Sequence, residues 1–304
     1  MSAIGEIATA GWPSGAFGDT QNEGVVFREF LSWDPAQVPE QVAFARAHVA
    51  LKLGPHWRPG LSPHAPYTVC AELFDGLIGV ASDSDSPLAM HLGESHAELE
   101  LLATGSGPLR TMLENAGVWR EDFWRGPADC VMLLQRLATA PRTLVIHGNY
   151  FGAAERTVLA AHADRMSLVF CPRTHRHFGL EPYPLAENLA AGVAMAFGTD
   201  SRASNPDLNL WRELQEVAAQ HTVAPQTIVE IGTRGGAVAL GLADRYGVLA
   251  AGRRAQICVV GRVAGSTNDD LYGALLHGIA GDRIGLRSQS TSLLSSKPSF
   301  FIFL

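Results

Sequence analysis

The sequence has no Cys-x-x-Cys pair, no run of lysines or arginines, and no apolar stretch of membrane-spanning length. Its four cysteines, Cys70, Cys130, Cys171 and Cys258, are scattered through apolar segments. That pattern argues against a disulfide framework and suits a reducing, cytoplasmic setting. Basic residues are outnumbered, 23 against 30 acidic, for a formal net charge of −7 and a pI near 5.9. Without a basic patch there is no electrostatic footprint for a polyanion, so nucleic acid is not the expected partner. A bilayer span needs roughly 18 consecutive apolar residues, and the ending "SFFIFL" is far shorter. The first residues show no basic segment leading into a hydrophobic one. These absences argue against both nucleic acid and a membrane as partners.

What is present is a large core. With 304 residues and 47% hydrophobic content, the chain is near the size of one α/β barrel. Seven short apolar runs read as strands: "AIGEIAT", "GVVFREFL", "GLSPH" from Gly60, "PLAMHL", "TLVIHG", "SLVFCP" and "VAMAFGTD". Each is followed by a stretch of helical period, such as "TVCAELFDGLIGVA" or "DLNLWRELQEVAAQ". Alternation of this kind predicts βα units and a parallel sheet, one strand short of a closed eight-stranded barrel. The barrel is expected over residues 1–245 and an accessory β segment, containing "GRRAQICVVG", over 246–262. The serine-rich residues 263–304 are expected to be irregular.

Four of the apolar runs end in a residue able to carry chemistry: His64, His91, His147 and Asp200. In parallel barrels, strand ends of this kind face the active site. Imidazole nitrogens and a carboxylate suit a borderline divalent cation such as Zn²⁺, with Fe²⁺ accepted by the same donors. His91 and Asp200 are the metal-ligand candidates. Glu94, three residues beyond His91 in "HLGES", reads as a proton shuttle or, more simply, as a cap of the next helix. His147 in "VIHGNY" could hold the attacking oxygen or add a ligand, and Asp200 could accept a proton as well as bind metal. His64 and Tyr67 in "SPHAPYT" are better suited to substrate. In "THRH", expected in the loop after "FCPR", His177 with His175 reads as a substrate contact rather than a ligand pair.

Taken in order, "SPHAPYTV", "HLGES", "HG" after an apolar strand, "CPRTH", "GTDS" with "SNPD", and "GGAVALGLADRYGVLAAGRRA" resemble the amidohydrolase superfamily. The closest branch is that of the cytosine deaminases, chlorohydrolases and aminofutalosine deaminases. The resemblance implies a TIM-type (β/α)8 barrel with His91 and Asp200 on a catalytic Zn²⁺ or Fe²⁺. It also implies Glu94 as general acid/base, His147 steadying the attacking water, and His64 touching substrate. The implied reaction is hydrolysis of a carbon–nitrogen bond, deaminating a cyclic or purine-like substrate. Ring opening, dechlorination, or a non-catalytic remnant that binds a ligand or partner are the alternatives.

Members of this superfamily open with a first strand ending in His-x-His, and "MSAIGEIATAGW" instead resembles their second strand. A chain starting inside a longer reading frame is therefore expected, lacking the first barrel strand and two metal ligands. Metal binding would be weakened accordingly. The open strand edges would favour self-association into a homo-oligomer.

Overall fold

The computed structural model describes residues 2–9, 11, 22–124, 126, 128–254, 256–261, 271–276, 280–285 and 300–303. In chain order the first elements are β1 (Ala3–Ala8), β2 (Glu23–Phe30), α1 (Val38–Val49), β3 (Trp57–Pro63), α2 (Ala71–Ser84) and β4 (Leu88–Leu92). Next come α3 (His96–Thr104), α4 (Pro108–Asn115), α5 (Cys130–Leu137), β5 (Thr143–His147), α6 (Ala153–Ala161), β6 (Met166–Phe170) and α7 (Pro172–His177). They are followed by α8 (Leu185–Ala190), β7 (Met195–Phe197), α9 (Leu210–Gln220), α10 (Pro225–Glu230) and α11 (Gly236–Ala239). The last are β8 (Gln256–Gly261), α12 (Leu271–Leu276), β9 (Ala280–Gly285) and β10 (Phe300–Phe303).

Strands β1 to β7 form one seven-stranded sheet in chain order, and the registers from β1 to β6 are all parallel. The physical basis is visible in β5 and β6, where every residue is buried. A strand covered on both faces by crossover helices needs a continuous apolar run rather than alternation. Helix α2 shows the complementary pattern. It buries Leu73, Phe74, Leu77, Val80 and Ala81, the i, i+3, i+4 spacing of one helical stripe.

Two strands differ in extent from the sequence expectation. β3 begins at Trp57 and pairs Trp57, Arg58 and Pro59 with Gly24, Val25 and Val26. A Cβ at position 60 would lie 2.7 Å from the Phe27 ring, so Gly60 serves close packing within a strand. β7 is confined to Met195–Phe197.

The chain forms two compact units, one of residues 3–170 and 181–195, the other of 171–180 and 196–304. In the second unit, β10, β8 and β9 make an antiparallel sheet in that order. Residues 263–304, expected to be irregular, thus contain α12, β9 and β10 among their described residues. β10 lies in the apolar "SFFIFL" ending, whose pairing with β8 is non-local and leaves no periodic signature. Among the described residues, no helix is long and apolar enough to cross a membrane.

Candidate active site

His91 stands next to the end of β4, and its backbone N–H and its ring both meet the carbonyl of His64, at 3.0 Å and 2.9 Å. A carbonyl only accepts, so Nδ1 carries the proton and the lone pair of the ring lies on Nε2. Gly93 then turns the chain at φ +68°, where a Cβ would collide with the Phe151 ring at 2.5 Å. Helix α3 is capped by Ser95, whose hydroxyl accepts from the Glu98 N–H. The carboxylate of Glu94 is therefore not the cap. It lies 3.6 Å from His147 Nε2.

Glu98 is fully buried and accepts from the N–H groups of Gly93 at 2.7 Å and Glu94 at 3.2 Å. Asn149 donates to the Glu94 carbonyl at 3.0 Å. The backbone of Glu94 is thus gripped from both sides. Burial pushes the Glu98 carboxyl from 4.5 up to about 8, against the opposing pull of the two backbone donors. The folded state consequently binds its proton more tightly than the unfolded chain. The contribution of Glu98 to stability is full below about pH 4.5 and is lost as the pH rises through about 8. The urea midpoint of the parent chain is expected to fall across this window, and that of Glu98→Gln to fall less. Parallel pH series of both proteins check this, and equal slopes would refute it.

His147 ends β5 with φ 75°, and Asp200, past β7, has φ 54°. Among the described residues the only other non-glycine with positive φ is Asp85, which closes α2. Left-handed backbone at a side-chain-bearing residue is costly and gathers at functional sites. His147 is 3% exposed, and its ring stacks on that of His91 with centroids 5.6 Å apart. Its carbonyl accepts from Tyr183 Oη.

His64 follows β3, its ring centroid 5.3 Å from that of His91 and 5.9 Å from Tyr67. The Thr68 hydroxyl donates to Ala65 O and so accepts from His64 Nδ1–H at 2.7 Å. This again leaves the lone pair on Nε2, which lies 3.9 Å from Glu29 Oε1. Burial lowers the His64 pKa. Burial raises that of Glu29 against the attraction of His91, and it also raises the Tyr67 phenol, reinforced by Glu94, Glu98 and Glu29. One donor atom each from Glu29, His64 and His91 lies within 4.8 Å of the other two.

Asp200 and His177 belong to the second unit. Ser204 Oγ donates to Asp200 Oδ2 at 2.7 Å. Asn205 Nδ2 donates both to Thr199 O and to Glu213 Oε1, which secures the loop carrying Asp200. The "THRH" segment is helix α7, not a loop. Residues two apart on a helix point in different directions, and accordingly His175 is buried while His177 is exposed. The pair is not arranged to chelate.

Sequence reasoning overlooked Glu29, Glu98, Thr68, Asn149 and Glu213. Glu29 carried a usable signal, being a carboxylate one residue before the end of an apolar strand, the position His91 occupies in "LAMHL". Glu98, Asn149 and Glu213 act through backbone groups, and Thr68 through the His64 ring.

The chain is 30% identical over 207 residues to 5-methylthioadenosine/S-adenosylhomocysteine deaminase of Desulforudis audaxviator, covering 65% of this chain and 43% of that protein. The aminofutalosine deaminase of Helicobacter pylori superposes with a TM-score of 0.79 at 23% identity, over 93% of this chain and 73% of that one. An adenosine deaminase from Xanthomonas campestris with bound zinc superposes with a TM-score of 0.70 at 23% identity, over 92% and 62%. The chain spans about half the length of the curated relatives it matches. The shared fold is the TIM-type (β/α) barrel, represented here by a seven-stranded sheet and lacking part of the barrel. The Amidohydrolase family model matches residues 43–277, most of the sequence, including His64, His91, Glu94, His147 and Asp200, and the chain belongs to that family.

Proposed function

We propose that the chain carries the catalytic groups of a metal-dependent hydrolase of carbon–nitrogen bonds, acting as a deaminase on an adenosine-type, purine-like small molecule. The observation that carries this reading is the approach of the Glu94 carboxylate to His147 Nε2, 3.6 Å, beside the His91 ring stacked on His147. The donors near His91 are imidazole and carboxylate, the chemistry that suits Zn²⁺ and also accepts Fe²⁺. His91 would hold such an ion, and the sequence resemblance names Asp200 as a further ligand. The ion would supply Lewis-acid activation of water.

The protein's own groups then move protons. Glu94 takes a proton from the water as it adds to the sp² carbon bearing the amino group. It gives that proton to the ring nitrogen, and the proton of the added hydroxyl passes to the amino group as the carbon–nitrogen bond breaks, so ammonia leaves and the carbonyl product remains. His147 steadies the water oxygen and the charge on Glu94. Tyr67 and His177 are assigned to substrate. The buried thiols Cys70 and Cys130 fit a cytoplasmic setting.

The test is ammonia release by the zinc-supplemented chain from adenosine, methylthioadenosine and S-adenosylhomocysteine. Turnover that disappears with a chelator and returns with zinc is expected. Ring-opened or dechlorinated products from other cyclic substrates, with no ammonia from this panel, would sink the proposal.

A further inference from the structure

Successive side chains of a strand point to opposite faces of its sheet. Glu29 of β2 approaches His64, so its neighbour Arg28 is turned the other way, toward α1. We propose that Arg28 and the cavity it lines form a binding site for a free short-chain carboxylate. The site lies within the first unit, on the face of the sheet opposite the candidate active site, and does not rest on the deaminase reading.

The first observation is a charge without a counterpart. The Arg28 guanidinium lies over the Phe30 ring at 5.2 Å and over the Phe44 ring at 5.4 Å. Among the described residues, no carboxylate pairs with it and no acceptor takes its N–H groups. Its Nε is buried, whereas the two terminal nitrogens, likewise unbonded, are not. A guanidinium keeps its charge at any working pH. Its terminal N–H groups form a fork that matches the two oxygens of a carboxylate. Glu6 stands on the same face of β1, in register with Val26, but burial raises its pKa with no cation pulling it back.

The second observation is the cavity, about 90 Å³ in volume, whose walls include Ala8, Val26, Leu51 and Leu53 besides Arg28 and His48. A cavity of roughly 150 Å³ takes benzene, so this one suits about four to six heavy atoms. Leu51 is 47% exposed, which leaves a way in from solvent. Apolar walls with one cationic point match a carboxylate on a short hydrocarbon stem. Phosphate would shed its water against leucine and valine for a single cation in return.

The third is the way the site is held. Phe44 and His48, four residues apart on α1, lie on one side of that helix. His48 Nε2–H donates to Val26 O at 3.1 Å, tying α1 to β2 beside the cavity. Ala8, Val26, Leu53 and Trp57 pack together as a buried cluster, so the apolar wall is formed before any ligand arrives. Burial lowers the His48 pKa, the Val26 carbonyl pulls it back, and the Arg28 charge lowers it further. The two rings and the guanidinium therefore sense one another, and an anion at Arg28 should register at His48.

The experiment titrates sodium propionate into the purified chain at constant ionic strength. It follows the His48 ring and Arg28 side-chain signals by NMR, with calorimetry for stoichiometry. One propionate per chain is expected, saturating with a Kd of about 1 mM. Propionamide, equal in size but uncharged, is expected to produce no saturable shift, a comparison that needs no variant. Arg28→Gln should weaken propionate by about tenfold or more, and Arg28→Lys, which keeps the charge but loses the fork, by less. Unchanged circular dichroism shows that each variant is folded. Absence of saturable binding by the parent chain would overturn the site. So would an equal response to propionamide, which would make it an apolar cavity only, or parent-like affinity in folded Arg28→Gln.

Discussion

Replacement of Glu94 by glutamine is expected to lower kcat for ammonia release by about 10²–10⁴-fold, the usual contribution of a positioned general acid/base. Glutamine keeps the size and polarity of the side chain but can neither take the water's proton nor return it. The loss should fall on kcat and leave KM and folding nearly unchanged. The backbone of residue 94 is held by Glu98 and Asn149, not by its own carboxylate, and that side chain is 30% exposed. Steady-state kinetics of the two proteins on one substrate, with thermal melts alongside, separate the outcomes. Retention of a tenth or more of parental kcat would remove Glu94 from the chemistry, and a collapse of the melting transition would recast it as structural.

The largest expected effect on stability is at Glu213. Its side chain is 0% exposed. One oxygen accepts from the Arg173 N–H at 2.9 Å and the other from Asn205 Nδ2 at 2.7 Å. The Arg173 guanidinium, also buried, lies 3.6 Å from Glu213 Oε1 and donates to Asp207 at 2.7 Å. Burial raises the Glu213 pKa, and Asn205 and Arg173 pull it back. Removing one member of such a set leaves the others buried without their partner and typically costs about 3–5 kcal/mol. Glu213→Ala should therefore shift urea unfolding by that amount, and Glu213→Gln, which keeps one acceptor, by less. A loss below about 1 kcal/mol for the alanine variant would show that water replaces the carboxylate. The consequence reaches the site, because Asn205 and Ser204 hold the loop bearing Asp200.

Much of the architecture is local in origin. Apolar runs such as "TLVIH" and "SLVF", separated by helical periods, specify parallel strands because both faces of each must be covered. Residues placed at the ends of those runs needed no tertiary knowledge to be noticed. That is why His64, His91 and His147 were legible, and why the left-handed backbone of His147 and Asp200 falls on residues already singled out. Local rules failed where two of them competed. In "HLGESHAE" three side chains suit a helix start, and the structure gives the cap to Ser95 and the buried anchor to Glu98. In "CPRTHRH" the position just past a strand suggested a loop, whereas Pro172 opens helix α7, where a missing N–H costs nothing.

The sequence by itself determined the order of strands and helices, the strand-end placement of the site histidines and the proximity of Glu94 to His91, because these follow from periodicity and short separations. Only the tertiary structure decided which carboxylates matter. Glu29 meets His64 and His91 across three strands, His147 meets Glu94 across more than fifty residues, and Glu98 becomes a buried anchor only once β4 and α3 have packed. Such pairings depend on sheet register and burial, which are set by the whole chain and leave no mark in any local stretch of it.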